Sequence, residues 1–522
     1  MSLQSFVDGK WVAGSGTGRT LFDPVLGTEL ERASSVGIDL GAALKYARDV
    51  GGPALRALSY GERAGLLTKI ADVLMSKRET YFEIALANSG SPRSDAAIDI
   101  DGAIFTLKYY GRAAAALGNA RYLVDGEMVK LGRDDLFQSL HIGVPLRGAA
   151  ILVNAFNFPS WGLWEKAAPA LISGMPILAK PATATCLLTQ RMVCDVVRSG
   201  ILPQGALSLL CGEARDLLDH VGPWDVVAFT GSADTAAQIR RHPSVVRHST
   251  RLNIEADSLN CALLGPDATP GSAEFELLIR EVAREMTQKA GQKCTAIRRV
   301  LLPRASLNAA AEAISAQLAR TVVGNPRTES VRMGPVVSKD QQRSVNEGLN
   351  LLKQQTRVIF DGGPDFQPVD ADPATSAFVP PTLLACDDAF AARAVHELEV
   401  FGPVATLVPY TDADQALEIA RLSQGSLVTS IFSADADFSQ RAAIELAASH
   451  GRVHCVSSAV GDAQTGHGNA MPMSLHGGPG RAGGGAELGG LRALRFYHQI
   501  SAVQGARERV RELTAAGARW VP

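Results

Sequence analysis

The chain has 522 residues, 46% of them hydrophobic, enough for large buried cores and about three structural units. Its 51 basic and 53 acidic residues leave a net charge of −2, which excludes a general polyanion surface and a nucleic-acid partner, though not a local phosphate pocket. The seven cysteines form no C-x-x-C pair and the ten histidines no H-E-x-x-H pair, so no disulfide framework and no metal are expected, and a reducing cytoplasm fits.

The opening "MSLQSFVDGKWVAG" has no basic region ahead of an apolar core, so no signal peptide is expected. The N-terminal third reads as helical, with apolar residues at i, i+3, i+4 and i+7 across 60–88. Residues 122–144 alternate like a hairpin. The longest apolar run, 148–156, is too short to cross a bilayer, so no membrane partner is expected. There the rhythm changes to short apolar runs at 149–153, 176–180, 206–210, 225–230 and 251–255, with amphipathic stretches between them. Strands buried on both faces and joined by helices imply a parallel, doubly wound sheet. A second series follows residue 260: a helix at 275–290, a strand at 299–303, then "VATLVPY", "LVTSIF" and "RVHCV". The fold class expected is α/β, two tandem doubly wound open-sheet lobes. Residues 122–144 and the extended C-terminal 491–505 fit neither lobe and are assigned to a small β element for oligomerisation, so a homodimer is expected.

The segment "GPGRAG" (478–483) satisfies a dinucleotide-turn expression but follows no buried strand and opens no helix, so it reads as a mobile loop. A better phosphate site is "DVVAFTGSADTAAQIRR", a buried strand ending in Phe229, Thr230, Gly231 and Ser232, with Ser232 as helix N-cap. Lys180 ends a neighbouring strand, where it reaches an anionic cofactor at the carboxyl edge of the sheet. Asn157 lies in an apolar run, and its amide can be aimed at an oxyanion. Glu255 ends a buried strand and reads as a general base with a raised pKa. Cys294 lies three residues beyond Gly291, read as the residue that ends helix 275–290, which places the thiol on an accessible loop.

The ordered series F-N-F-P (156–159), K-P-A (180–182), F-T-G-S (229–232), Glu255, G-Q-x-C (291–294) and E-x-F-G-P (399–403) resembles the aldehyde dehydrogenase superfamily over essentially the whole chain. The tail "HGGPGRAGGGAELGGLRALRFYHQISAVQG" resembles the bacterial semialdehyde dehydrogenases that follow ring opening in aerobic CoA-dependent benzoate and phenylacetate degradation. The resemblance implies the aldehyde dehydrogenase fold. It divides the chain into a dinucleotide-binding domain (1–121 and 145–256), a thiol-bearing catalytic domain (257–458), oligomerisation segments (122–144 and 488–522) and a glycine-rich loop, 459–487, returning toward the active site. Two departures stand out: the usual Glu-Leu-Gly-Gly is here Glu255-Ala256-Asp257, and the customary acidic residue three places after the lysine of K-P is Thr183.

By that resemblance Cys294 attacks the aldehyde carbon, and the Asn157 amide and the Cys294 N–H hold the oxyanion. Glu255 then activates the water that hydrolyses the resulting thioester. Lys166 matches a lysine that connects to this glutamate, and Glu487 a further relay carboxylate. Glu399 and Phe401 match the residues that hold the nicotinamide ribose and ring, and Ala155, Phe156 and Gly212 complete the cofactor set. Thr183 removes a carboxylate that would repel a 2′-phosphate and offers a hydroxyl donor, so NADP is expected to be preferred, with NAD possible. The implied substrate is a small-molecule aldehyde carried on CoA, on the benzoate route 3,4-dehydroadipyl-CoA semialdehyde. The alternatives are a CoA-acylating enzyme, a general free-semialdehyde dehydrogenase, or a structural protein with no use for Cys294, Asn157 and Glu255 together.

Overall fold

The computed structural model describes residues 2–363 and 365–520. Residues 1, 364, 521 and 522, assigned above to the first lobe, the second lobe and the C-terminal segment, lie outside the described residues.

The first sheet has nine strands. Five run parallel in the order Arg251–Glu255, Val226–Thr230, Ala150–Val153, Ile177–Lys180 and Leu207–Leu209. They are the apolar runs read from the sequence, and helices such as Trp161–Ile172 and Cys186–Arg198 cover them. The chain order reverses between Ala150–Val153 and Val226–Thr230, so a crevice opens at their carboxyl ends, where open α/β sheets take ligands.

The helical reading of the N-terminal third fails for residues 2–33. Ser2–Val7, Lys10–Ala13, Arg19–Phe22 and Glu29–Ala33 are strands that extend this sheet. The signal was Asp8–Gly9, whose φ values of 52° and 71° suit a two-residue hairpin turn. The periodic stretch 60–88 does form helix, broken once at Lys77 into Tyr60–Ser76 and Arg78–Ser89. Ser59 and Glu62 cap its start reciprocally.

The second sheet orders Arg357–Phe360, Thr382–Ala385, Val404–Tyr410, Arg299–Pro303, Cys261–Leu264, Ser426–Phe432 and His450–Val456, all parallel except the first pair. A separate four-stranded sheet joins the hairpin Leu123–Lys130 and Phe137–Pro145 to His498–Ala506 and Ala518–Arg519. The C-terminal segment is only partly extended. Gly490–Tyr497 is a 3-10 helix burying Ala493, Leu494 and Tyr497, a spacing of three to four residues and not of two. No helix among the described residues is long and apolar enough to cross a membrane.

The "GPGRAG" segment is not a mobile loop. Leu475–Gly477 pairs with Ala486–Leu488, and the turn between them is tied to the strand that ends in Glu255. Ala256 N–H donates to Ala482 O at 3.0 Å, and Gly485 N–H to Ile254 O at 3.0 Å. A Cβ on Gly483 or Gly485 would lie 2.2 or 2.4 Å from Ile254 O. The glycines are there for close backbone approach, not for freedom.

Candidate active site

The stretch carrying Cys294 begins one residue after helix Ala273–Thr287 stops. Lys289, Ala290 and Gly291 all take left-handed φ values, 53°, 51° and 67°. Gly291 therefore does not terminate the helix directly, as the sequence suggested, but sits three residues past the Gln288 cap. A Cβ there would lie 2.1 Å from Gly402 O, so only glycine fits. The basic neighbours of the thiol are structural. Lys293 Nζ donates to Glu285 (2.7 Å) and Gln288 (2.6 Å), while Arg298 ties the carbonyls of Gly291 (2.8 Å), Lys293 (3.3 Å) and Gly402 (2.7 Å) together. Asn260 Nδ2 donates to Cys294 O at 2.8 Å. The thiol is held on a loop fixed from several sides.

Cys294 is half-buried and faces Glu255 and His476; one ligand atom from each lies within 4.8 Å of the others. Glu255 Oε2 is 2.9 Å from His476 Nε2, a buried ion-pair contact, and neither Glu255 oxygen accepts from a backbone N–H. Burial would raise the Glu255 carboxyl, but His476 and Lys166 draw it down to about 2. The raised pKa expected from the strand position is thus reversed by His476, a neighbour the sequence did not reveal, together with Lys166. Burial and the neighbouring Glu255 push the Cys294 thiol well up. A cavity of about 320 Å³ opens beside Cys294, lined among others by Phe105, Thr106, Phe158, Trp161 and His476.

Asn157, on the loop after Ala150–Val153, is buried, and its Nδ2 donates to Gln292 O at 3.1 Å. An amide nitrogen carries two hydrogens, so one remains for an oxyanion. Behind the strand ending in Glu255 lies a buried charge cluster. Lys166 Nζ contacts Glu165 Oε1 at 2.5 Å and Glu487 Oε2 at 3.1 Å. Its direct partners are these two, and Glu255 acts on it only through its charge. Asn253 Nδ2 donates to the other Glu487 oxygen at 3.3 Å. The helix that carries Lys166 is anchored by Asp99, whose Oδ1 accepts from Trp161 N at 2.6 Å.

The remaining residues gather at the carboxyl edge of the first sheet. Ala155 and Phe156 are half-buried, and the Phe156 ring meets Phe401 edge-on at 5.7 Å between centroids. Lys180 ends its strand, and Ser232 caps helix Ala233–Arg240 by accepting from Thr235 N. Thr183 is buried and its hydroxyl donates to Gly212 O at 3.1 Å, so that hydrogen is not free for a ligand as the sequence reading supposed. Gly212 has φ 115°, and a Cβ would lie 2.7 Å from Ser35 N. Glu399 accepts from Ser258 N at 3.1 Å and keeps its other oxygen buried without a hydrogen bond. Phe229 is buried on its strand in a core cluster, with its ring packed under Gly231, where a Cβ would lie 2.5 Å from its Cζ. Asp257, at the departure from the usual motif, caps the same helix through Ala233 N at 2.8 Å and lies 3.6 Å from Arg481. An acidic side chain there replaces glycine because it has a helix end and an arginine to meet.

A family model described as the aldehyde dehydrogenase family matches residues 11–503. The chain belongs to the aldehyde dehydrogenase family. It is 58% identical over 479 residues to a 3,4-dehydroadipyl-CoA semialdehyde dehydrogenase of Aromatoleum evansii, covering 92% of this chain and 93% of that one. It is 27% identical over 502 residues to a hydroxyisobutyraldehyde dehydrogenase of Mycolicibacterium austroafricanum, covering 95% and 92%. Among solved structures, betaine aldehyde dehydrogenase of Staphylococcus aureus in complex with NAD+ superposes with a TM-score of 0.84 at 23% identity, covering 97% of this chain and 94% of that one. The fold is therefore the aldehyde dehydrogenase fold and the protein an oxidoreductase.

Two residues of this aldehyde dehydrogenase site escaped the sequence reading. Glu165 sits beside Lys166 on a helix buried along its whole length, where charge is least expected. His476 stands opposite Glu487 in the small hairpin, in a glycine-rich stretch without periodicity. Its only sequence signal was a lone histidine next to paired glycines.

Proposed function

We propose that this aldehyde dehydrogenase oxidises the terminal aldehyde of a CoA-linked semialdehyde, 3,4-dehydroadipyl-CoA semialdehyde or a near homologue, to the acid, preferring NADP. The observation that carries the reading is the approach of Cys294, which lines the cavity, to within 4.8 Å of Glu255, with Asn157 bonded to Gln292 two residues before the thiol. The 58% identity to the Aromatoleum relative supports the CoA-linked substrate. The volume of about 320 Å³ fits an acyl chain and leaves the bulk of the CoA outside the mouth.

The thiol of Cys294 gives up its proton to solvent and the sulfur adds to the aldehyde carbon. The second Asn157 amide hydrogen and the Cys294 N–H hold the oxyanion. A dinucleotide bound at the carboxyl edge of the first sheet would supply the two-electron oxidation as hydride acceptor. Glu255 then accepts a proton from the water that attacks the thioester, releasing the acid and the thiol. Neither of its oxygens accepts from a backbone N–H, so a water can reach them without displacing such a bond.

Lys180, Thr183 and Gly212 would hold the adenosine end of the dinucleotide, the Gly231–Ser232 turn its pyrophosphate, and Glu399 and Phe401 its nicotinamide riboside. The buried Glu399 Oε1, 3.8 Å from Arg298 Nε and without a hydrogen bond, fits a ribose hydroxyl. Thr183 favours NADP by what it lacks. A carboxylate there would face the 2′-phosphate at a cost of a few kcal/mol, roughly, at intermediate dielectric, while Lys180 supplies a cation. The four-stranded sheet is proposed to pair two copies as a homodimer, and a monomer in sedimentation at micromolar concentration would contradict it.

A panel of free and CoA-linked semialdehydes with NADP and NAD, without added CoA, tests the reading. The expected result is acid formed fastest from the CoA-linked substrate with NADP. A requirement for added CoA would assign the CoA-acylating reaction, and equal rates on free semialdehydes would remove the CoA-linked specificity.

A further inference from the structure

The reaction above uses Cys294 and Glu255 one after the other and gives His476 no task. Yet the three side chains, from parts of the chain that no motif connects, bring a sulfur, a carboxylate oxygen and an imidazole nitrogen within 4.8 Å of one another. Glu255 is 2% and His476 4% exposed, and neither Glu255 oxygen accepts from a backbone N–H. Glu255 Oε2 and His476 Nε2 already stand 2.9 Å apart, and with the thiol beside them the three donors have the arrangement of a ligand set.

We infer that Glu255, Cys294 and His476 form a binding site for a thiophilic divalent cation, Zn2+ above all, whose occupancy switches the dehydrogenase off. Thiolate, imidazole and carboxylate bind Zn2+ at about 2.0–2.3 Å, and three protein ligands leave the fourth tetrahedral position to a water in the cavity. Hard cations such as Mg2+ prefer oxygen ligands only and gain little here. Binding forms the metal–sulfur bond as the thiol proton leaves to solvent, with no change of oxidation state. The bound sulfur cannot add to an aldehyde, and the bound carboxylate cannot take a proton from water. His476 decides the affinity, because without it only two protein donors remain. The inhibitory consequence rests on the proposed function, whereas the binding itself does not.

Titration of the full-length protein, free of dinucleotide, with Co2+ alone separates the two. The expected result is one equivalent bound, with a thiolate-to-cobalt charge-transfer band in the near ultraviolet. That band should vanish in Cys294→Ser, require about tenfold more Co2+ in His476→Phe, and be unaffected by Mg2+. Zn2+ should inhibit wild-type turnover at concentrations about tenfold below those needed for His476→Phe. It should also protect Cys294 of the wild type from iodoacetamide, read by peptide mass, a measurement that needs no variant to fold. Absence of the band, absence of protection, or equal affinity in His476→Phe would overturn the site. A band without any dehydrogenase activity to inhibit would leave the site standing and remove the functional reading instead.

Discussion

His476 Nε2 lies 2.9 Å from Glu255 Oε2 with both side chains buried, and the Cys294 sulfur faces the pair. Burial raises the Glu255 carboxyl, but the imidazole and Lys166 overcome it, so the group rests as a carboxylate. That charge, added to burial, keeps the neighbouring thiol protonated. The resting site therefore pairs a thiol with a carboxylate and holds no preformed thiolate.

A direct consequence concerns alkylation. Iodoacetamide reacts with the thiolate, so the wild-type rate at Cys294 should still be rising as pH passes the ordinary thiol range. Glu255→Gln removes the charge that raises the thiol and should speed alkylation near neutral pH, by about tenfold for each unit of pKa recovered. Slower alkylation in the variant would show that Glu255 already takes the thiol proton at rest.

The buried lysine makes a stability prediction. Lys166 stands between Glu165 and Glu487, and all three are almost wholly removed from solvent. Lys166→Met leaves two carboxyl groups facing each other and should cost about 3–5 kcal/mol of unfolding free energy in urea. A loss below about 1 kcal/mol would mean the cluster contributes little to the folded state.

The proposed preference for NADP is testable at one position. Thr183→Glu restores a carboxylate beside Lys180 and should lower kcat/KM for NADP much more than for NAD. Equal losses with both cofactors would show that Thr183 supports the pocket only through its bond to Gly212.

Glu399 gives a pH dependence. Burial, with Asp257 adding and Arg298 opposing, pushes its carboxyl up to about 8. The protonated form prevails below that value and the ionised form above it, and ribose hydroxyls donate best to the ionised form. The KM for the dinucleotide should fall as pH rises through about 8, and the trend should disappear in Glu399→Gln. A trend that persists in Glu399→Gln would place its origin elsewhere.

The strands that build the crevice were legible because both their faces are buried, which leaves continuous apolar runs such as 226–230. The motifs that carry Asn157 and Glu255 lie next to or on those strand ends, and that of Cys294 on the loop after helix Ala273–Thr287. What the sequence hid depends on distant partners. The direction of the Glu255 pKa shift is set by His476, more than two hundred residues away. The glycines at 483 and 485 read as freedom until Ile254 O is placed against them. Residues 2–33 add strands to a sheet whose centre lies far along the chain, and only Asp8–Gly9 marked them locally.

In the proposed reaction, oxidation passes through a thioester on Cys294 that a water activated by Glu255 resolves. Intact-protein mass spectrometry of Glu255→Gln, quenched after mixing with the semialdehyde and NADP, tests it most directly. The account predicts a burst of NADPH of about one equivalent, a stall, and an acyl adduct that maps to Cys294. Continued turnover at the wild-type rate, or a folded variant with neither burst nor adduct, would contradict it.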